Sequence, residues 1–118
     1  MPITEVKPIV LVSACALVDI DRQILVAQRP EGKSMAGLWE FPGGKVEPLE
    51  SPEDALIREL KEELEITVSI DRPLNPVTHD YGRGPIRLIP FLCTIAEGEP
   101  HPHEHSELRW CPPNRLPE

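Results

Sequence analysis

The sequence predicts an α+β fold in which one amphipathic helix packs against a mixed β-sheet. The first observation is an acidic stretch of helical periodicity that follows Gly43 and Gly44 and runs to Ile66. The second is a set of short apolar and β-branched runs on both sides of that stretch, as is typical of strands. The length of 118 residues and the hydrophobic content of 40% suit one domain, residues 1–118, with a modest core.

The helix has a clear start signal. Ser51 is a good N-cap, because its hydroxyl accepts from a free amide of the first turn. Pro52 suits the first helical position, and Asp54, three residues after Ser51, comes close to a capping box. At about 100° per residue, one narrow apolar stripe is expected to face the core, formed by Leu56, Ile57, Leu60 and Leu64.

A contiguous arc beside the apolar stripe carries crowded negative charge. Glu59, Glu62 and Glu63 are spaced as neighbours on one helical face, and Arg58 offsets some of their repulsion. One interpretation is the solvated face of a surface helix. The other is a site for a divalent cation, because hard cations such as Mg²⁺ take oxygen ligands and keep positions open for phosphate oxygens.

The remaining chain reads as strands and turns. The run from Ile9 to Val18 predicts a strand buried on both faces. The run from Ile86 to Ile95 is interrupted by Pro90, which predicts an edge strand or a bulge. Further strands are expected at 24–29, 38–41, 66–70, 75–81 and 108–111.

Composition excludes several classes of protein. The formal charge of −8 argues against binding to nucleic-acid polymers or anionic membranes, and no segment is long enough to span a bilayer. Three cysteines without a C-x-x-C motif indicate reduced thiols in a cytoplasmic protein. The segment from Val12 to Cys15 resembles a lipoprotein cleavage site, but the apolar stretch before it is too short for a signal peptide.

The spacing of the central residues resembles the Nudix hydrolase signature, G-x5-E-x7-R-E-U-x-E-E-x-G-U, where U is a bulky apolar residue. Gly44 and Glu50 match its first half, the segment from Arg58 to Glu63 matches its second half, and Ile66 matches its end. The mismatch is Glu65, which stands where the signature has glycine. A glutamate there either adopts the left-handed backbone at a cost or ends the helix differently.

The resemblance implies a Nudix-type α/β/α sandwich with a mixed β-sheet. The segment from Leu25 to Lys45 is similar to the MutT-type branch and to its CTP pyrophosphohydrolases. Such enzymes hydrolyse a nucleoside triphosphate to the monophosphate plus pyrophosphate and need Mg²⁺ or Mn²⁺. The C-terminal helix of MutT-like proteins has no counterpart before Glu118. A monomer or a homodimer is expected.

The resemblance also implies roles for individual residues. The cation would be held by carboxylates together with a backbone carbonyl at the glycine loop, and the substrate by side chains near that loop. Arg29 and Trp39 have simpler alternatives, an exposed strand end and a core aromatic. The metal-binding set is Gly44, Glu59, Glu62, Glu63 and Glu104. The catalytic set is the same four glutamates with Arg58, and the substrate-binding set is Arg29, Trp39 and Lys45.

Glu104 is the candidate site residue outside the signature. In the family, a glutamate from this loop reaches back to the metal ions and acts as the general base, since a proton must be removed from the attacking water. The alternative is a solvated loop glutamate. His101, His103 and His105 alternate around it, and exposed loop histidines are the favoured interpretation over adventitious binding of a transition metal.

Three functions remain open from the sequence. The first is hydrolysis of 8-oxo-dGTP or a related oxidised purine triphosphate. The second is the same chemistry on CTP or a modified dCTP, which the segment from His103 to Pro112 slightly favours. The third is a weakly active ligand-binding module, suggested by Glu65 and by the missing helix.

Overall fold

The computed structural model describes residues 8–32, 36–80, 82, 84–103 and 105–115. Within them one α-helix, α1, spans Pro52–Leu64. The strands are β1 (Val10–Leu17), β2 (Ile24–Gln28), β3 (Trp39–Glu40), β4 (Gly43–Lys45), β5 (Thr67–Pro73), β6 (Val77–Asp80), β7 (Pro85–Glu97) and β8 (Glu107–Cys111). A 3-10 helix at Pro113–Arg115 follows β8. This confirms the predicted α+β class.

The described strands form two sheets. The larger sheet has the order β4-β1-β7-β5, and β6 also pairs with β7. It is mixed, because β1 runs parallel to β7, whereas β4, β5 and β6 pair antiparallel with their neighbours. The smaller antiparallel sheet has the order β3-β2-β8. An isolated bridge between Val18 and Ile24 links the end of β1 to the start of β2.

The N-terminal cap of α1 forms as predicted. The hydroxyl of Ser51 accepts a hydrogen bond from the amide of Asp54 at 3.1 Å, and Pro52 is the first helical residue. The hydroxyl of the fully buried Ser13 on β1 donates to the carbonyl of Pro52 at 2.7 Å. The start of the helix is therefore tied both to its own cap and to the larger sheet.

Leucines on α1 supply the helical side of the core. Leu56, Leu60 and Leu64 are fully buried, as the stripe predicts. Ile57 was predicted to share that stripe, but it is 37% exposed, and the smaller Ala55 is buried. The helix rests on the larger sheet, and the cluster around its leucines includes Cys15, Leu17, Leu25, Ile66, Val68, Phe91 and Cys93.

Strand β1 is only half buried. Residues 13–17 are buried, as predicted for a strand buried on both faces, but the prediction was wrong for the start of the strand, where Val10 and Leu11 are each 37% exposed. The three cysteines are free thiols, as predicted, and all three are buried. No helix in the described part of the chain is long and apolar enough to cross a membrane.

Pro90 does not mark an edge strand. Strand β7 is central, with β1 on one side and β5 and β6 on the other. The carbonyl of Pro90 accepts from the amide of Leu74 at 2.8 Å, beyond the end of β5 at Pro73 and before β6 begins at Val77. Because N–H and C=O of one strand residue point the same way, the missing amide faces the break between β5 and β6 and costs no ladder bond.

Of the two helical layers of the expected α/β/α arrangement, the described residues contain one. That layer is α1, and the last described element is the 3-10 helix at Pro113–Arg115.

Candidate functional site

The two glycines before α1 form strand β4 rather than the predicted open loop. Gly43 pairs with Ala14 of β1, and a Cβ at Gly43 would overlap the carbonyl oxygen of Ser13. A Cβ at Gly44 would lie 2.6 and 2.7 Å from the carboxylate oxygens of Glu59. Only glycine therefore allows the backbone to approach both β1 and a carboxylate of the helix.

Arg58 organises the charged face of the helix. Its Nε and Nη2 donate to both carboxylate oxygens of Glu50, at 2.8 and 3.0 Å, and its Nη1 donates to Glu59 at 3.0 Å and to Glu62 at 3.4 Å. Its Nη2 also donates to the carbonyl of Lys45 at 3.2 Å. The fork of donors thus braces β4 against the helix.

The brace changes how its members titrate. The hydrogen bonds from Arg58 lower the pKa of Glu50 to about 2, helped by the hydrogen bond from the amide of Glu47. The same contact with Glu50, followed by that with Glu59, raises the pKa of the Arg58 guanidinium, so it stays charged. The guanidinium of Arg58 therefore offsets the repulsion among the carboxylates of Glu50, Glu59 and Glu62.

A cavity of about 530 Å³ opens between the two sheets. The lining includes two cationic side chains, the glycine strand, a buried carboxylate and two further polar side chains, namely Arg29, Lys45, Gly43, Gly44, Glu63, Glu40 and His105. Four residues of the predicted site, Arg29, Gly44, Lys45 and Glu63, therefore meet in one place. Glu63 is only 7% exposed, so the interpretation of this acidic face as fully solvated is wrong at Glu63.

Glu40 and His105 are functional candidates that the sequence analysis missed. Arg29 Nη1 lies 3.2 Å from one carboxylate oxygen of Glu40, and His105 Nε2 lies 3.2 Å from the other. Burial opposes ionisation of Glu40, but these contacts outweigh it, so the pKa of Glu40 lies below its ordinary value. The signal available for Glu40 was the opposite charge of Arg29 at the end of another predicted strand, whereas the pairing of the two strands was not predicted.

His105 also corrects the prediction of exposed loop histidines. Its side chain is 6% exposed. Its Nδ1 is buried and has no hydrogen-bond partner among the described residues. His101 and His103 are exposed, as predicted.

The conformation of Glu65 shows how the helix ends without the signature glycine. Glu65 adopts φ 59° and ψ 33°, the left-handed conformation that the signature glycine would favour, and its amide donates to the carbonyl of Lys61 at 3.1 Å. Its carboxylate lies 2.9 Å from Nε2 of His103. That hydrogen bond holds the pKa of Glu65 below its ordinary value.

The donors at this site fit a hard divalent cation. The carboxylate of Glu59 lies against the backbone of Gly44, and the buried carboxylate of Glu63 lines the same cavity. Carboxylate and carbonyl oxygens are the ligands that Mg²⁺ and Mn²⁺ prefer. Within the described residues, however, no three acidic, histidine or cysteine side chains converge closely enough to hold a metal ion. Glu59 and Glu62 contact Arg58, and Glu104 lies outside the described residues.

Four predicted site residues among those described do not line the cavity, namely Trp39, Arg58, Glu59 and Glu62. The indole of Trp39 stacks under the guanidinium of Arg109, 4.4 Å from the ring centroid, and does not line the cavity. Arg58 does not line it either, because its fork is directed at Glu50. Base binding by Trp39 and a catalytic role for Arg58 stay predictions.

Comparison with known proteins identifies the class. The sequence model of the NUDIX domain family matches residues 8–118, so the chain belongs to that family and is a Nudix hydrolase. Within the family it is 42% identical to a CTP pyrophosphohydrolase of Escherichia coli over 98 residues, which cover 83% of this chain and 73% of the relative. It is 45% identical to an 8-oxo-dGTP diphosphatase of Proteus vulgaris over 88 residues, covering 75% and 79% respectively.

Solved structures agree with this assignment. The crystal structure of a MutT NUDIX hydrolase from Burkholderia pseudomallei superimposes with a TM-score of 0.85 at 32% identity, covering 95% of this chain and 89% of that one. The predicted MutT-type Nudix resemblance is therefore confirmed.

Proposed function

We propose that this protein is a cytoplasmic, Mg²⁺-dependent pyrophosphohydrolase that converts 8-oxo-dGTP or a related oxidised nucleoside triphosphate to the monophosphate plus pyrophosphate. The observation that carries the proposal is that the buried carboxylate of Glu63 lines the same cavity as the glycine strand and two cationic side chains. Carboxylate oxygens are ligands that Mg²⁺ prefers.

The cationic residues on the wall suit a polyphosphate. Arg29 and Lys45 line the cavity in a protein whose formal charge is −8, so the positive potential that a triphosphate needs must be local. Glu40 and Arg29 contact each other, which fixes the direction of the guanidinium. These residues would bind and orient the phosphate chain.

A divalent cation would be held by Glu59, Glu62 and Glu63 together with a carbonyl of the glycine strand. When bound, it would supply electrostatic stabilisation of the phosphate oxygens and a water of lowered pKa. Glu104 is the proposed base that removes the proton from the attacking water. The buried setting of Glu63 and the brace at Arg58 keep the helix carboxylates at a fixed distance from the glycine strand.

A pyrimidine substrate is the second candidate. It is favoured by the identity of 42% to the Escherichia coli CTP pyrophosphohydrolase, which covers more of this chain than the match to the Proteus vulgaris 8-oxo-dGTP diphosphatase does. The chemistry at phosphorus would be the same, and only the contacts to the base would differ.

The test is pyrophosphate release from 8-oxo-dGTP, dGTP, CTP and 5-methyl-dCTP with Mg²⁺, with an EDTA control. We expect metal-dependent release with the highest kcat/KM for 8-oxo-dGTP. A preference for CTP or 5-methyl-dCTP would select the second candidate. The absence of release from all four, in a protein that melts cooperatively, would contradict both and leave the weakly active binding module.

A further inference from the structure

The loop before β8 is attached to the end of α1. The amides of His101 and His103 donate to the carbonyls of Leu64 and Glu63, at 3.0 and 3.2 Å. These carbonyls are at the C-terminus of the helix, where backbone acceptors lack partners within the helix. Such backbone hydrogen bonds do not depend on the identity of the side chains. They hold the loop against the helix but give no role to a particular side chain.

A side-chain contact adds to them at one position. His103 Nε2 lies 2.9 Å from the carboxylate of Glu65. The contact exists because this chain has glutamate at the signature's glycine position, at the cost of a left-handed backbone with φ 59°. The departure from the signature therefore provides an attachment that glycine cannot make.

A second attachment follows two residues later. His105 Nε2 lies 3.2 Å from Glu40 on β3, with the ring almost fully buried. The amide and the hydroxyl of the next residue, Ser106, donate to the carbonyl and the side-chain oxygen of Gln28 on β2, at 3.0 Å in each case. The chain after residue 104 is thus held by the smaller sheet, whereas the chain before it is held by the helix.

We propose that His103 and His105 are positioning residues that hold the chain on both sides of Glu104, one against the helix through Glu65 and the other against β3 through Glu40. The inference rests on the proposed function, in which Glu104 acts as the base. We therefore expect the loss of either contact to lower kcat.

The test uses paired variants of the full chain. His103→Ala and His105→Leu remove the contacts, whereas His103→Gln and His105→Gln keep a donor close to the position of Nε2. We expect His103→Ala to lower kcat by about two- to fivefold, as for an exposed pair, and His105→Leu by about tenfold or more, as for a buried bond to a carboxylate, with KM little changed. Both Gln variants should recover most of the loss.

Glu65→Gly gives the sharpest comparison. It restores the signature glycine and relieves the left-handed backbone, so we expect Tm to stay constant or rise while kcat falls as in His103→Ala. The double variant Glu65→Gly with His103→Ala should be no worse than either single variant, because both remove one contact. A purely structural role for Glu65 would instead make kcat and Tm move together.

Amide hydrogen exchange gives a readout that needs no activity. We expect faster exchange at the amides of His101 and His103 in Glu65→Gly and at Ser106 in His105→Leu. Glu99→Gln is the control, because Glu99 is exposed in the same loop and makes no hydrogen bond or ion pair among the described residues. Wild-type exchange rates and kcat in His103→Ala and His105→Leu would overturn the proposal, as would an equal loss in the control. If the wild-type chain released no pyrophosphate, the proposed function would fail, whereas the exchange rates would still decide the anchoring.

Discussion

Arg58 binds both carboxylate oxygens of Glu50, with Nε at 2.8 Å and Nη2 at 3.0 Å. The pair joins the second turn of α1 to the residue just before its N-cap. The same guanidinium donates to Glu59 and to the carbonyl of Lys45. One side chain therefore sets the position of the glycine strand, the start of the helix and one candidate metal ligand.

Replacing the guanidinium of Arg58 should weaken the contacts that position the glycine strand, the start of the helix and Glu59. We expect Arg58→Lys to lower Tm by a few degrees and to reduce kcat, because an ammonium cannot bind Glu50 with two parallel bonds and contact Glu59 as well. Thermal melting and steady-state kinetics measure the two effects. The matched control is Arg72→Lys on the exposed part of β5, where neither quantity should change. An equal shift in both variants would mean that Arg58 has no special bracing role.

The pH dependence of stability should reveal the same brace. The pKa of Glu50 falls from about 4.5 to about 2 in the folded protein. A lowered folded pKa gives stability that is complete above the unfolded value and is lost as the pH falls through the folded value. The difference in Tm between the wild type and Glu50→Gln should therefore be constant above about pH 4.5 and shrink towards pH 2. A difference that stays constant over that range would show that the charge of Glu50 is unimportant.

Glu63→Gln should separate activity from folding. The amide is nearly isosteric with the carboxylate, so we expect Tm to change little, whereas turnover should fall by several orders of magnitude because an amide is a poor cation ligand. Glu53→Gln is the control, since Glu53 is an exposed acid of the first turn. Loss of cooperative melting in Glu63→Gln would assign the residue to the core instead.

Gly44→Ala should destabilise the protein through a steric clash, and a second substitution should remove that clash. The new methyl group would lie 2.6 and 2.7 Å from the oxygens of Glu59, so β4 or the carboxylate must move, and we expect lower Tm and lower kcat. Adding Glu59→Ala should recover Tm without recovering kcat. Melting curves of the three variants provide the measurement, and additive losses in the double variant would refute the proposed clash.

Local signals in the sequence predicted the helix well. Ser51 and Pro52 fixed its start, and Leu56, Leu60 and Leu64 fixed its buried face, because capping and periodicity depend on residues close in the chain. The error at Ile57 arose at the border of the stripe, where the shape of the sheet decides which neighbour is covered.

Features that depend on tertiary contacts were not predictable from the sequence. Pro90 lies in a central strand because β5 ends and β6 begins beside it, and no local pattern encodes that break. Glu40 and His105 meet across 65 residues of sequence, so their contact required the pairing of β2 with both β3 and β8. For the same reason, the loop histidines appeared alike until the fold separated the buried His105 from the exposed His103.

The parallel pairing of β1 with β7 has a consequence for the order of assembly. Residue 10 pairs with residue 86, so the centre of the larger sheet closes only after most of the chain is available. Contacts so distant in sequence form slowly, whereas α1 with its cap is a local structure. A chain emerging from the ribosome therefore carries its acidic helix before the sheet beneath the helix is complete. Until β7 is synthesised, the carboxylates of α1 are present without the complete larger sheet that forms one side of the cavity. The edge of β1 is open to mispairing during that time.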